Sequence, residues 1–251
     1  MRRHHQDSIQ NMIAHYRENP EIRALFLIGS VATGTERADS DLDGVAVVSQ
    51  GYCERLRNGA GLEEVYYGKC TYPGGYFNIH YMSRRDMEKL AESGSEPMRN
   101  MFCRARPLFC DQPGLEELAV RIPVFQKSEA AAKQLRFYCT LKMYRTYYWT
   151  VCKPRGFMRF HTADGMVYNL YRLILLENQI LFPSMRKLEE YVSRAPDKPE
   201  GIIETCGRFM QTLSDEDCAA VVEAYEAWTA YDYPKDHNVV MNHFADANEW
   251  Y

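Results

Sequence analysis

The stretch LFLIGSVATGTERADSDLDGVAVV, residues 25–48, constrains this chain more than any other. An apolar run closes on Gly29 and Ser30, and after ten further residues Asp41, Leu42 and Asp43 lead into a second apolar run. Runs of this length, bounded by turn formers, read as buried strands. Alternate side chains of a strand share a face, so Asp41 and Asp43 stand side by side and Leu42 points the other way. Two carboxylates held that close repel unless a cation lies between them. Magnesium suits the place, because it takes oxygen ligands and is commonly held by one or two carboxylates together with substrate phosphates. Gly29 and Ser30 supply the complement: a strand that ends in glycine and turns into a short helix offers backbone N–H groups and a hydroxyl to phosphate oxygens. No Gly-Lys-Ser follows, so this is not a Walker loop. ADSDLDG taken alone would read as an acidic turn. The order strand, Gly-Ser, spacer, Asp-x-Asp, strand sets it apart.

The surrounding pattern predicts an α+β protein in two parts. An amphipathic helix is expected over 7–18, where Ile9, Met12, Ile13 and Tyr16 share a face. Strands are expected at EEVYYGKC and GYFNIHYMS, joined through YPGG, with a Ser-capped helix SRRDMEKLAES following, a helix over 96–104 and a strand RPLFC. Residues 1–120 thus form a mixed-sheet domain. Beyond it SEAAAKQLRFYCTLKMYRTYYWTVC runs to KPRG with helical spacing and no Gly or Pro. TADGMVYNLYRLILLENQILF, capped by Thr162, is a second long helix, and SMRKLEEYVSRA, PEGIIETCGRFMQTL and SDEDCAAVVEAYEAWTAY are three shorter ones. Residues 121–251 are therefore expected to be an α-helical bundle domain.

Charge and composition narrow the partners. A net charge of -4 argues against extended nucleic-acid binding, which needs a surplus of Lys and Arg on one face. No run reaches the roughly 18 apolar residues of a membrane span, and no apolar region backs the two N-terminal arginines, so a cytoplasmic location is expected. The eight cysteines show no CxxC and no Cys/His ligand spacing, so they are expected to be reduced and mostly buried rather than disulfide-bonded or zinc-bound.

With Gly29-Ser30, ten intervening residues and Asp41-Leu42-Asp43 entering a strand, the chain resembles the polymerase-β-like nucleotidyltransferase superfamily. The mixed domain of about 120 residues followed by a helical one is similar in layout to the aminoglycoside and lincosamide nucleotidyltransferases, which confer antibiotic resistance. The resemblance implies that Gly29 and Ser30 contact nucleotide phosphates and that Asp41 and Asp43 hold magnesium, two ions in all. It also implies transfer of a nucleoside monophosphate, AMP from ATP before other triphosphates, to a hydroxyl with release of pyrophosphate.

The family's third carboxylate, on a neighbouring strand, aligns here with Asn78, whose amide ligates weakly and accepts no proton at neutral pH. His80, two residues on and on the same face, is a candidate base with an ordinary pKa near 6.5. Glu177, Asp164 and Glu129 in the helical part are others, and Glu64 replaces the missing acid if the strand register differs. Tyr138, Tyr144, Tyr147, Tyr148 and Trp149 form an aromatic-rich helix that reads chiefly as core, with stacking on a sugar or base as the functional alternative. In KPRGFMRFH, Lys153, Arg155 and Arg159 are candidates to meet a triphosphate or an anionic acceptor, Arg155 being the one assigned to nucleotide binding. Arg155 and His161 also satisfy the Arg-x5-His spacing of the HEPN ribonucleases, but Pro154 and Gly156 sit awkwardly in the helix that motif needs. A small-molecule acceptor is expected. The alternatives are transfer to a protein side chain or an RNA end, and a nucleotide-binding regulator of antitoxin type without turnover, which Asn78 keeps open.

Overall fold

The structure, a computed structural model, describes residues 1–248 and divides into two compact units, Met1–Val124 and Phe125–Tyr251. The protein is α+β: the first unit holds a five-stranded mixed sheet and the second is helical.

In the first unit α1 (Arg3–Arg17) leads into β1 (Ile22–Leu27), a single-turn helix α2 (Gly29–Thr33) and β2 (Leu42–Val48). Then come α3 (Gln50–Asn58), β3 (Glu63–Tyr67), β4 (Tyr76–Ser83), α4 (Arg84–Ser93), α5 (Glu96–Met101), β5 (Arg106–Cys110) and α6 (Leu115–Arg121). The strand order is β3-β4-β2-β1-β5. β2 and β4 run parallel, and every other pair is antiparallel. The first helix starts four residues before the expected position, and the 96–104 helix stops at Met101. Neither α3 nor α6 is apparent from the apolar pattern. Ser83 caps α4 as expected: its hydroxyl accepts from Asp86 N at 3.1 Å and Asp86 Oδ2 accepts from Ser83 N at 2.9 Å.

Period-2 alternation sorts the sheet into two faces. Leu25, Leu27, Leu42, Ala46, Phe77 and Ile79 pack with Ile9, Met12 and Tyr16 of α1 and Cys53 of α3. On the other face Ala24, Phe26, Val45, Val47 and Met82 pack with Met87, Leu90, Leu115 and Leu118 of α4 and α6. That second cover is incomplete. Over β3 and β4 the same face stays open, with Val65 50% and Tyr67 69% exposed, and the polar side chains of β4 stand on it.

In the second unit α7 (Lys127–Met143) runs into a π-helix (Tyr144–Val151), followed by α8 (Phe157–Glu177), a 3-10 turn (Met185–Lys187), α9 (Leu188–Arg194), α10 (Ile202–Thr212), α11 (Asp215–Trp228) and α12 (His237–Ala247). α8 is the spine of this core, with Met166, Leu170 and Ile174 buried among Leu141, Phe209, Tyr225 and Phe244. Three expectations need correction here. The helix through 128–152 changes winding at Tyr144. Thr162 does not cap α8 but lies in its second turn, its hydroxyl donating to Met158 O at 2.7 Å. The helix ends at Glu177, not Phe182, where Asn178 and Gln179, the latter at φ 54°, turn the chain. Gly165, in the middle of α8, has a specific reason: a Cβ there would lie 2.1 Å from Cε2 of Tyr144, so the glycine makes room for the ring that opens the π-helix.

All eight cysteines are free thiols; Cys53, Cys139, Cys206 and Cys218 are buried. Cys103 and Cys152 are exposed, because each follows the end of a helix instead of lying in its apolar stripe. Among the described residues no helix is long and apolar enough to cross a membrane.

Candidate active site

The parallel register of β2 and β4 sets Asp43 directly beside Asn78. Asn78 Nδ2 donates to Asp43 Oδ1 at 3.2 Å. The register thus sets an amide, not an acid, beside Asp43. Glu64 is excluded as its replacement, for it pairs with Ile79 on the opposite face and accepts from Tyr16 and Tyr81 at 2.8 and 2.7 Å.

Asp41 stands one residue ahead of β2 rather than within it. Ser40 closes a turn with Arg37, whose N–H donates to Ser40 Oγ at 2.9 Å, and gives its carbonyl to the Tyr72 hydroxyl at 2.5 Å, so the ladder begins at Leu42. Asp41 still acts on the same face of β4, at Tyr76. Hydrogen bonding to the Asp41 carboxylate, then the Asp41 charge, hold the Tyr76 phenol above its ordinary pKa, with burial and the Asp43 charge adding to it. Among the described residues Asp41 has no ion pair with Lys or Arg.

Gly29 fits against this pair. It takes φ 71°, and a Cβ on it would lie 2.0 Å from Asp43 Oδ2 and 2.7 Å from Asp43 Cγ. Only a glycine allows the carboxylate to rest on the β1–α2 bend. Ile28 N donates to Asp43 O at 2.9 Å, which pins the bend to β2, and half-buried Ser30 follows in the first turn of α2. Gly29, Ser30, Asp41, Asp43 and Asn78 therefore belong to one neighbourhood.

His80 stands two residues beyond Asn78 on the same face, about 7 Å along the strand. Its Nδ1 is hydrogen-bonded to Glu63 Oε1, directly opposite on β3. A carboxylate on one ring nitrogen fixes the ring and leaves Nε2 as the remaining proton-accepting position. Tyr76 and Glu63 were not singled out in the sequence. Tyr76 was findable, since Tyr76, Asn78 and His80 alternate on one strand. Glu63 was not, because it depends on the β3–β4 register.

The donor set suits a magnesium ion that arrives with its phosphates: two carboxylates on one face, one of them seated in a cradle that a Cβ would fill. It does not supply a third acid. Among the described residues no group of three or more His, Cys, Asp or Glu side chains has the arrangement of a metal site.

The remaining expected residues lie in the second unit. Arg155 borders a cavity there with Arg145, Trp149, Lys153 and Arg159. Glu177 accepts from the hydroxyls of Tyr225, at 2.8 Å, and Thr229, which makes it a strut of the helical core. Glu129 is paired with Lys133 at 2.7 Å. Asp164 helps to raise the pKa of Tyr144, after burial and Tyr148. Tyr138 and Trp149 are buried core residues and Tyr147 is exposed. His161 stacks on Phe157 and meets the Tyr144 hydroxyl at 3.4 Å, whereas Arg155 precedes α8, so the two do not share a helix.

No family model and no curated protein sequence matches this chain. Among solved structures, it is similar to a nucleotidyltransferase-like protein from Exiguobacterium sibiricum 255-15, at 11% identity and a TM-score of 0.44 over 96% of this chain and 77% of that one. A toxin–antitoxin structure with AMP-PNP matches 50% of this chain and 92% of its own at 18% identity and a TM-score of 0.29. With likenesses this loose, function has to be argued from the chain's own residues.

Proposed function

We propose that the protein is a metal-dependent nucleotidyltransferase that moves a nucleoside monophosphate, AMP from ATP, to a hydroxyl of a small molecule. One observation carries the reading: Asp41 and Asp43 stand on a single open sheet face, with Asp43 seated on the glycine of the Gly29-Ser30 bend. Two like charges on neighbouring side chains, next to backbone able to approach phosphate, make an arrangement that a cation with its phosphates completes.

Asp41 and Asp43 are the proposed magnesium ligands, and bound magnesium would neutralise charge on the phosphates as pyrophosphate leaves. Gly29 and Ser30 offer the α2 amides and a hydroxyl to phosphate oxygens. The acceptor oxygen attacks the α-phosphorus, a new P–O ester bond forms, and the bond from that phosphorus to the bridging oxygen breaks. The acceptor proton goes to a base, for which His80 Nε2 is proposed, the ring being held by Glu63. Asn78 positions Asp43 by donating to Oδ1, and takes no proton. In this scheme residues 1–120 are the transferase domain and 121–251 supply acceptor contacts.

A second reading rests on Asn78 itself. An amide in place of an acid beside Asp43 leaves nucleotide and metal binding intact and weakens turnover, which suits a nucleotide-binding regulator. Pyrophosphate release from ATP and magnesium, measured over a panel of aminoglycoside, lincosamide, peptide and RNA acceptors, separates the two. Release that stops with chelator and with Asp43→Asn is the expected result, and the productive acceptor names the substrate class. Tight magnesium-dependent ATP binding with no release on any acceptor points to the regulator. Full magnesium-dependent ATP affinity in Asp43→Asn overturns both.

A further inference from the structure

We infer that the second unit carries its own binding site for a phosphate-bearing small molecule, in the cavity beside the π-helix, and that this site fills without metal and without Asp43. The cavity encloses about 570 Å³, within the range of small-ligand sites. Arg145, Lys153, Arg155 and Arg159 line it, against one carboxylate, Asp215. In a chain of net charge -4 this is a local excess of three positive charges. Among the described residues none of the four is ion-paired with Asp or Glu. Asp215 is itself engaged, accepting from Trp149 Nε1 at 2.9 Å.

The wall is built rather than incidental. Arg159 lies 4.3 Å over the Trp149 ring and donates to the Leu213 and Pro154 carbonyls, so its guanidinium is fixed in place. Arg145 Nη1 donates to Thr150 Oγ1 at 2.6 Å, while Thr150 Oγ1 donates to the Arg145 carbonyl at 2.9 Å. Residues five apart lie on different faces of an α-helix. The π-helix closes that gap, as the 3.0 Å bond from Cys152 N to Tyr147 O shows at its end. Two residues past its end Lys153 takes φ 47°, a left-handed conformation that costs a non-glycine residue about 1–2 kcal/mol. A wide-wound helix and a strained lysine, both turned toward one hollow, are the kind of local cost that accompanies a binding site. Fixed guanidinium forks on an aromatic and proline wall favour a phosphate ester over a simple halide or carboxylate. The assignment goes beyond the sheet chemistry and does not depend on it.

The test uses the full chain in chelator, with inorganic pyrophosphate as the probe, followed by calorimetry and by the indole N–H resonance of Trp149. Expected are saturable binding, a shift of the Trp149 signal, and a loss of about tenfold or more in affinity for Arg155→Ala, the size of one charge-assisted hydrogen bond. Arg155→Glu should abolish binding, and Asp43→Asn should leave it unchanged. Glucose 6-phosphate and ATP in the same assay tell a separate phosphorylated molecule from a nucleotide tail. Binding lost in Asp43→Asn yet retained in Arg155→Glu assigns the anion to the sheet and overturns the inference. A Trp149 signal unmoved by millimolar pyrophosphate overturns it as well.

Discussion

In the first unit Asp43 meets Asn78 because two parallel strands run in register, whereas in the second Arg145 meets Thr150 because a helix abandons its register. The first neighbourhood is acidic and lies on a sheet face that α4–α6 leave uncovered. The second is basic and closed by an indole, a proline and a π-helix. Both also turn on a glycine, but for different reasons. Gly29 combines a left-handed φ with contact against a functional carboxylate. Gly165 has ordinary helical backbone and contact against an aromatic ring. Regular structure thus places chemistry that must face an open surface, and irregular structure places chemistry that must face a hollow.

Substituting the two glycines breaks the comparison most sharply. At Gly29→Ala the left-handed backbone costs about 1–2 kcal/mol, and the Cβ evicts the Asp43 carboxylate from its position 2.0 Å away. Magnesium-dependent nucleotide affinity should fall by about two orders of magnitude, since a misplaced carboxylate forfeits several kcal/mol of attraction at an effective dielectric of about 20. At Gly165→Ala the added methyl overpacks Tyr144, costing about 1–3 kcal/mol, while the better helix former returns about 1 kcal/mol. Thermal stability should drop modestly and nucleotide affinity should hold. Equal loss of affinity in both variants would mean that global destabilisation, not the Asp43 cradle, explains the first. Melting curves alongside nucleotide titrations read both quantities.

What could be read beforehand follows from the same contrast. Alternation with period two carries its own geometry, so Asp41 could be grouped with Asp43, and Asn78 with His80, before any tertiary structure was known, whereas bringing the two pairs together needed the β2–β4 register. Position along the strand was less secure: Asp41 precedes the ladder because Ser40 gives its carbonyl to Tyr72, 32 residues away. Glu63 was out of reach for a similar reason, since its partnership with His80 depends on the β3–β4 register. In the helical unit the apolar spacing of YRTYYWTV reads as ordinary α-helix. Where the winding changes, Gly165 on a neighbouring helix admits the Tyr144 ring. Helix ends suffered most. Thr162 has the chemistry of a cap, yet its hydroxyl is spent on the Met158 carbonyl inside α8. Ser49 and Asp236 cap α3 and α12, two short helices that the apolar pattern did not flag.

Asn78→Asp sharpens the acidic side. It replaces a donor 3.2 Å from Asp43 Oδ1 by a third carboxylate, and two charges at that separation repel by about 5 kcal/mol at an effective dielectric of about 20. Without metal the variant should melt earlier, and one carboxyl should titrate higher. With magnesium the repulsion becomes ligation, so metal affinity should rise about tenfold, and pyrophosphate release should rise if turnover is limited at this position. Metal affinity indifferent to the change would place the cation elsewhere than on Asp43.

The smallest effect is the most local one. The Tyr76 phenol is raised above its ordinary value first by hydrogen bonding to Asp41 and then by the Asp41 charge, with Asp43 contributing. For a group raised in the folded state, the contribution to stability is complete below the unfolded value of about 10 and is lost as pH climbs through the folded one. A cation held between the two aspartates cancels their field. Magnesium with a nucleotide should therefore bring the Tyr76 titration back down toward the ordinary tyrosine range, and Arg155→Ala should leave that shift unchanged. An ultraviolet difference titration of the protein against Tyr76→Phe isolates this phenol from the other 17 of the 18 tyrosines. An identical curve with and without magnesium nucleotide would show that no cation sits at the carboxylates, because charge placed there must act on a phenol whose titration they raise.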